Sequence, residues 1–546
     1  MNKYLTLSQP PRLLHQCIYS FREKTPEQVA IHDDDLELTY SELCKQVDSL
    51  AKQLQDIGIQ PNDRIGVFSQ NSIESTLAIF AAMRADGCYV AINPDFPEDK
   101  ILDIIIDSGC QTVLIEARYQ EVFTNLLKNN SVPILKNVIT LNKKQEFSQE
   151  FIEDVTLKKI TLNFYEEWFE LTNPAPEKNT PQDLCYIMYT SGTTGKPKGV
   201  MLMHKNVVHF ANWIAKGFDL EHGLRWAHHS RISFDLSVLD IFGCYFTGGT
   251  LYPIKNKGDI SFPGSFVEKY KINVWISVPS SLNMMIRSGQ MTENSFSSHL
   301  KIGFFCGELL NTDIASHWLK THPEAKLINM YGPTEAAVAC TAHQVSKKDL
   351  SEKTFNIPIG NTSPTTELLI LNKTSDTLCK PEEIGRLMIA GGQVAAGYWN
   401  KEDLTKERFV PHTFKHAWYR KMYDTGDLAF YSKEGHLHYV GREDQQVQVM
   451  GFRVELTEIE SALYQSPLCS ELSVIFEPDQ QQLILAAVLK DEYDEKLAKK
   501  ELFKFAKSKL AEHMVPKKTI FYAELPKNIN GKIDRKQILM DYLKSK

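Results

Sequence analysis

The sequence predicts an α/β fold of layered parallel sheets and helices, closed by a smaller α+β domain. Two patterns predict it. In the first 120 residues a helix-like segment, SELCKQVDSLAKQLQDIG (41–58), is followed by short apolar strand-like runs, RIGVFS (64–69), CYVAIN (88–93) and TVLIEA (112–117); this alternation is the signature of parallel α/β layers. After Gly441 the pattern resumes with GFRVELTEIESAL, a strand turning into an amphipathic helix, then the apolar strands LSVIF and LILAAVL and the helix KELFKFAKSKLAEHM. That is a unit of about one hundred residues, an ordinary domain size. The chain thus divides into a core domain (1–441), a hinge (442–446) and a C-terminal domain (447–546). The stretch 141–181, polar and weakly periodic, reads as a surface insertion without chemistry of its own.

Composition bounds the function classes. The chain has 546 residues, 42% hydrophobic and 24% charged, with a net charge of −7; this is a globular composition without the basic excess of a nucleic-acid or anionic-membrane binder. The start, MNKYLTLSQPPRLLHQ, lacks the apolar run of a secretory signal, and no stretch approaches a membrane span, so the expectation is a cytoplasmic enzyme with no membrane insertion. Ten cysteines without a CxxC pair argue against zinc clusters and a disulfide framework.

The stretch YTSGTTGKPKG (189–199) combines glycines, which let a ligand approach the backbone, with hydroxyls and two lysines. It suits phosphate oxygens. It is not a Walker loop, because Gly195-Lys196 and Gly531-Lys532 are followed by Pro197 and Ile533 instead of Ser or Thr. Three further stretches carry turn-borne polar groups: NMYGPTE (329–335), YDTGD (423–427) and NGKIDRK (530–536). Together with YVGRED (439–444), LTYSEL (38–43) and GRLMIAGGQVAAGY (385–398), and in this order, they resemble the adenylate-forming superfamily over essentially the whole chain. Its members include acyl-CoA synthetases, luciferases and peptide-synthetase adenylation domains.

The resemblance implies a β-barrel-like subdomain in the core domain, a mobile C-terminal domain, and ATP with Mg²⁺ as cofactors. Thr190, Ser191, Gly192, Thr193, Thr194 and Gly195, with Lys198, would wrap the β- and γ-phosphates, and Thr334 would reach the α-phosphate. Tyr331 would stack on adenine, with Gly307, Glu308, Asn329, Met330, Gly332 and Tyr439 around the nucleotide. Asp427 and Arg442 would hold the ribose, a carboxylate being able to accept both protons of a vicinal diol. Glu335 would hold Mg²⁺, which prefers oxygen ligands. Lys532, with Thr190 and Thr334 the catalytic set, would bridge the substrate carboxylate and the α-phosphate as pyrophosphate leaves. Two positions depart from the family pattern: Gln448 stands where a Lys is usual, and Asp424 where a basic residue is frequent.

Within the superfamily, SFDLSVLDIF (233–242) resembles amino-acid-activating members, in which Asp235 would pair with the substrate ammonium. The bland alternative is an exposed helix-capping Asp. The resemblance implies a substrate pocket of Asp235, Leu236, Leu239, Ser277, Phe304, Cys306, Met330, Val338 and Ala339, closed by Lys532. This lining suits a small apolar amino acid. FFCGELL, VWISVPS and EAAVACT resemble D-alanyl carrier protein ligases; the Asp-Leu-Leu start with Met330 and Val338 resembles prolyl carrier protein ligases. Met330 and Leu239 favour L-proline, with D-alanine as the alternative and an acyl-CoA synthetase as the reading of another class. No carrier attachment motif is present, so the expected acceptor is the phosphopantetheine thiol of a separate carrier protein.

Overall fold

The computed structural model describes residues 9–34, 36–130, 132–170, 172–191, 196–292, 299–350, 357–412, 419–443, 446–490, 493–527 and 533–545. Its backbone contacts define two units: Met1–Pro94, Ile105–Tyr189 and Gly199–Gly441 form the first, and Asp95–Ile104, Thr190–Lys198 and Arg442–Lys546 the second. The long segments part between Gly441 and Arg442. The hinge residues Asp444 and Gln445 lie outside the described residues, and the hinge remains a proposal.

The first unit is built from three sheets. An eight-stranded sheet runs in the order Gly397–Tyr398, Lys198–Met203, Leu184–Thr190, Cys88–Ile92, Arg64–Phe68, Thr112–Ile115, Asn137–Thr140 and Thr161–Asn163. Neighbouring strands from Leu184–Thr190 outward to Thr161–Asn163 are parallel. Every residue of Cys88–Ile92 is buried, as expected of a parallel strand covered by helices on both faces. The helix Ile73–Arg84 lies on Arg64–Phe68 and Cys88–Ile92, and Tyr40–Asp56 packs on that helix. Tyr40–Asp56 starts at a capping box in which Thr39 and Glu42 satisfy each other's backbone N–H groups, and buries Leu43, Val47, Leu50 and Leu54 along one face.

A nine-stranded sheet carries the site. Its order is Asn361–Thr362, Thr341–Gln344, Lys326–Tyr331, Ile302–Phe305, Val274–Ser277, Arg225–His228, Thr250–Pro253, Val29–His32 and Glu37–Thr39. The middle strands pair in parallel, so their carboxyl ends share one edge, where open α/β sheets place ligands. The third sheet is antiparallel and five-stranded, Thr366–Leu371, Gly385–Gly391, Lys421–Tyr431 and Phe409–Pro411, with Leu437–Arg442 on Lys421–Tyr431. It stands where the family resemblance implies the barrel-like subdomain.

The stretch 141–181 is not the surface insertion expected from its polarity. It supplies the helix Gln149–Leu157 and the outermost strand Thr161–Asn163 of the eight-stranded sheet. Phe147, Phe151 and Val155, spaced by four, are buried together with Ile160 and Trp168. One apolar residue per helical turn suffices at a sheet edge, and so sparse a stripe leaves little periodic signal.

The second unit holds the hairpin Gln446–Val449 and Phe452–Glu455, and a three-stranded sheet of Cys469–Glu477, Gln482–Leu489 and Lys518–Phe521. Helices Leu456–Leu463, Glu495–Lys509 and Arg535–Lys544 pack with it. The expected helix through Met514 ends at Lys509, and Glu512–Met514 forms a separate tight turn.

Candidate active site

The strand Lys326–Tyr331 leaves the nine-stranded sheet and turns back at once, so that the Cys340 N–H donates to the Tyr331 carbonyl at 2.8 Å. Gly332 makes the turn possible. A Cβ there would sit 2.5 Å from the Cα of Ala339 and 2.8 Å from the Cys340 nitrogen, both backbone atoms that cannot swing away. The loop Tyr331–Cys340 therefore packs on itself.

Two hydroxyls on this loop cap two buried carboxylates. Thr334 Oγ1 donates to Asp235 Oδ2 at 2.5 Å, and Tyr331 Oη donates to Asp427 Oδ2. Asp235 is 7% exposed and its side chain makes no cap bond with the helical turn it precedes, which removes the exposed helix-cap alternative. Burial, then the Asp427 charge, push the Tyr331 phenol far above its usual range, so it is held as a donor. Asp427 is set by its neighbour: Thr425 Oγ1 accepts from the Asp427 N–H at 2.9 Å and donates to the Leu387 carbonyl at 2.7 Å. Tyr439 lies with its ring 6.0 Å from that of Tyr331.

Glu335 is fully buried and accepts from Tyr398 Oη at 2.6 Å. No group of three metal-ligating side chains occurs among the described residues. A single carboxylate of this kind fits a cation that takes its other ligands from phosphate and water.

Other expected nucleotide contacts have partners within the protein. Asn329 Nδ2 donates to the Pro358 carbonyl at 2.8 Å, and Glu308 accepts from the Ser280 N–H at 2.8 Å and its hydroxyl at 2.9 Å. Gly307 adopts φ +89°, leading into Glu308. Asp424 accepts from Arg386 Nη1 at 3.0 Å and from the Gly426 N–H at 3.1 Å. This departure from the family pattern thus holds two strands of the antiparallel sheet together.

The expected substrate lining, Leu236, Leu239, Ser277, Phe304, Cys306, Met330, Val338 and Ala339, is buried throughout. Phe304 and Met330 share one face of adjacent parallel strands, whereas Ser277, in register with Phe305, stands on the other face and accepts from Trp275 Nε1 at 3.0 Å. Leu239 opens a wide helical turn, Leu239–Gly243, whose fully buried Asp240 accepts from the Ser230 N–H at 2.9 Å. Wide turns of this kind concentrate at functional sites. Burial pushes the Cys306 thiol up to about 12, with the Asp235 charge adding to it, so Cys306 is a neutral apolar wall.

The second unit, taken by itself, holds other expected residues. Thr190 Oγ1 is buried with no hydrogen-bond partner among the described residues, which fits a hydroxyl left for a ligand oxygen. Ser191 Oγ donates to the Arg453 carbonyl at 2.6 Å, and Lys198 is buried. Arg442 ends the strand Leu437–Arg442, and Gln448 lies within Gln446–Val449. Gly192, Thr193, Thr194, Gly195 and Lys532 lie outside the described residues.

Sequence reasoning missed the supports. Tyr398 under Glu335 and Gln393 beneath the Ala336–Ala339 turn are bound to the loop by contacts remote in sequence, and Thr425 sets Asp427 through the Asp427 backbone N–H. Gln393 and Tyr398 stand in the quoted stretch GRLMIAGGQVAAGY and Thr425 in YDTGD, but nothing in those stretches marks them as supports.

A family model described as AMP-binding enzyme matches residues 19–399, and its C-terminal domain model matches 458–532. A D-alanine–D-alanyl carrier protein ligase from Bacillus licheniformis is 30% identical over 96% of this chain and 98% of its own. Tyrocidine synthase 1 of Brevibacillus parabrevis is 31% identical, and the match spans 96% of this chain but 44% of that protein. A mycosubtilin synthase polypeptide of Bacillus subtilis is 29% identical over 98% of this chain, which spans only 19% of that relative. Among solved structures, the Vibrio cholerae adenylation domain AlmE in complex with glycyl-adenosine-5'-phosphate shares the fold at a TM-score of 0.85, 23% identity and 99% coverage of each chain. No helix among the described residues is long and apolar enough to cross a membrane. The chain belongs to the AMP-binding enzymes of the adenylate-forming superfamily.

Proposed function

We propose that this enzyme activates a small apolar amino acid as its adenylate, releasing pyrophosphate, and passes it to the phosphopantetheine thiol of a separate carrier protein. The observation that carries the reading is Asp235: a buried carboxylate that accepts from the Thr334 hydroxyl, a neutral partner that an ammonium could replace. A simple carboxylic acid would leave this charge without a substrate partner, which disfavours the acyl-CoA synthetase reading. D-alanine is the first acid to test, supported by the full-length relative named for it. L-proline is the second, favoured by the flat faces that Leu239 and Met330 offer a pyrrolidine ring. ATP would supply the nucleotide, and Glu335 would hold Mg²⁺, which would offset the charge of the leaving pyrophosphate. Thr190 and the loop to Lys198 serve the phosphates, Thr334 the α-phosphate, Tyr331 the adenine, Asp427 and Arg442 the ribose. Lys532 steadies the substrate carboxylate as its oxygen attacks the α-phosphorus and pyrophosphate departs.

Amino-acid-dependent pyrophosphate exchange into ATP, run with D-alanine, glycine, L-proline and the remaining proteinogenic acids, tests the reading. Selective exchange with D-alanine or L-proline, followed by transfer to a phosphopantetheinylated carrier and not to free CoA, is the expected result. Exchange with none of them, or acyl transfer to free CoA, overturns it.

A further inference from the structure

We propose that Gln393 is a positioning residue that sets amino-acid selectivity by clamping a strained turn in the wall of the substrate pocket; the proposal rests on the amino-acid reading of that pocket. Ala337 and Val338 both have positive φ, +52° and +73°. The Ala339 N–H donates to the Ala337 carbonyl at 2.9 Å, closing a three-residue turn centred on Val338. Left-handed backbone is a genuine outlier for a β-branched residue, and such strain persists only where the surroundings enforce it.

Gln393 is the enforcing group. It is 0% exposed, and its amide nitrogen, Nε2, donates to the carbonyls on both flanks of the turn, Ala339 at 2.7 Å and Ala336 at 3.3 Å. Its oxygen accepts from Ser363 Oγ and, at 3.3 Å, from Thr366 Oγ1, which fixes the amide's orientation. Both donor hydrogens and both acceptor sites are thereby used. The backbone on either side is held in turn by Asn206, whose Nδ2 donates to the carbonyls of Gly392 at 2.7 Å and Val394 at 3.1 Å. Releasing the amide lets Val338 relax toward negative φ and moves the Val338 and Ala339 side chains, which line the pocket. The nucleotide-facing end of the same loop has further anchors that do not use the Gln393 amide, Tyr331 on Asp427 and Glu335 on the Tyr398 hydroxyl and the Ala395 N–H, the last at 2.9 Å.

The test is pyrophosphate exchange with wild type, Gln393→Leu, Gln393→Glu, Val338→Gly and the double variant Val338→Gly/Gln393→Leu. Gln393→Leu removes both donors, and Gln393→Glu keeps the shape but turns an acceptor toward two carbonyls. The expected result for each is a rise of about tenfold or more in KM for the best amino acid, with KM for ATP within about twofold of wild type. In the Val338→Gly background, where glycine adopts the turn unaided, Gln393→Leu is expected to leave KM for the amino acid within about twofold. An unchanged amino-acid KM in both single variants, or equal loss for ATP, overturns the proposal. If the single variants fail to fold, an effect that persists in the glycine background overturns it, and folding restored there with an unaltered KM supports it. Wild type that exchanges with no amino acid removes the underlying reading, a result distinct from wild type that exchanges normally beside indifferent Gln393 variants.

Discussion

Replacing Asp235 with Ala tests the core of the proposal most directly. In the protein without substrate the carboxylate accepts from the Thr334 hydroxyl, and losing a neutral donor of this kind costs about 1 kcal/mol. With an amino acid bound, the same substitution leaves a buried ammonium without its counter-charge, a cost of about 3–5 kcal/mol. The second term dominates, so at about 1.4 kcal/mol per decade kcat/KM for the amino acid should fall by about two to three and a half orders of magnitude. KM for ATP should move much less, because the groups proposed for adenine and ribose, Tyr331 and Asp427, pair with each other, and only Thr334, proposed for the α-phosphate, is bonded to Asp235. Pyrophosphate exchange at saturating ATP measures the fall. Propionate, the deaminated counterpart of D-alanine, supplies the control: the preference for D-alanine over propionate should largely vanish in Asp235→Ala. A preserved preference would place the ammonium elsewhere and refute the reasoning, as would an equal loss in KM for ATP.

Two further predictions concern the scaffold. Tyr398→Phe removes the hydroxyl that donates to the buried Glu335 carboxylate, a charge-assisted bond, and should lower the urea-unfolding stability of the first unit by about 1.5–3 kcal/mol while slowing exchange; an unchanged midpoint would show that Glu335 does not depend on Tyr398. Acid should destabilise the fold through His228 and His204, both held down to about 3, chiefly by burial. The folded imidazoles stay neutral while the unfolded ones protonate below about 6.5, so stability is complete above that pH and is lost as pH falls toward about 3, at about 1.4 kcal/mol per unit for each group. His228→Gln should shrink the difference in urea stability between pH 7.5 and pH 5 by about 2 kcal/mol, and a difference that stays as in wild type would remove His228 from the acid response.

Much of the fold was legible because the central strands are apolar on both faces and the helices between them are capped by recognisable residues. Cys88–Ile92 and the Thr39-capped helix are cases where local pattern and tertiary environment agree. The 141–181 stretch was misread because an edge strand and its helix bury only one side, and Phe147, Phe151 and Val155 are diluted by charge. In the site, the loop residues proposed to face a ligand stand in short motifs and could be named in advance. Their supports could not: Gln393 reaches Ala339 across 54 positions and Tyr398 reaches Glu335 across 63. Such bonds depend on how the sheets pack, and the strain at Val338 resides in backbone angles that no residue type announces.

The pairing of Tyr331 with Asp427 and of Thr334 with Asp235 shapes how this site can bind at all. Tyr331 and Thr334, three positions apart on one loop, supply two hydroxyls, and each donates to a buried carboxylate. On the proposed roles, ligands replace these bonds, and the gain at each site is the difference between ammonium and threonine at Asp235, or between ribose and tyrosine at Asp427. A ligand with a full positive charge gains most from such an exchange, because the hydroxyl it displaces is neutral. The exchange at Asp235 also frees the Thr334 hydroxyl, the group proposed to meet the α-phosphate, so discrimination between an amino acid and its deaminated analogue should appear in the rate of adenylate formation as well as in binding.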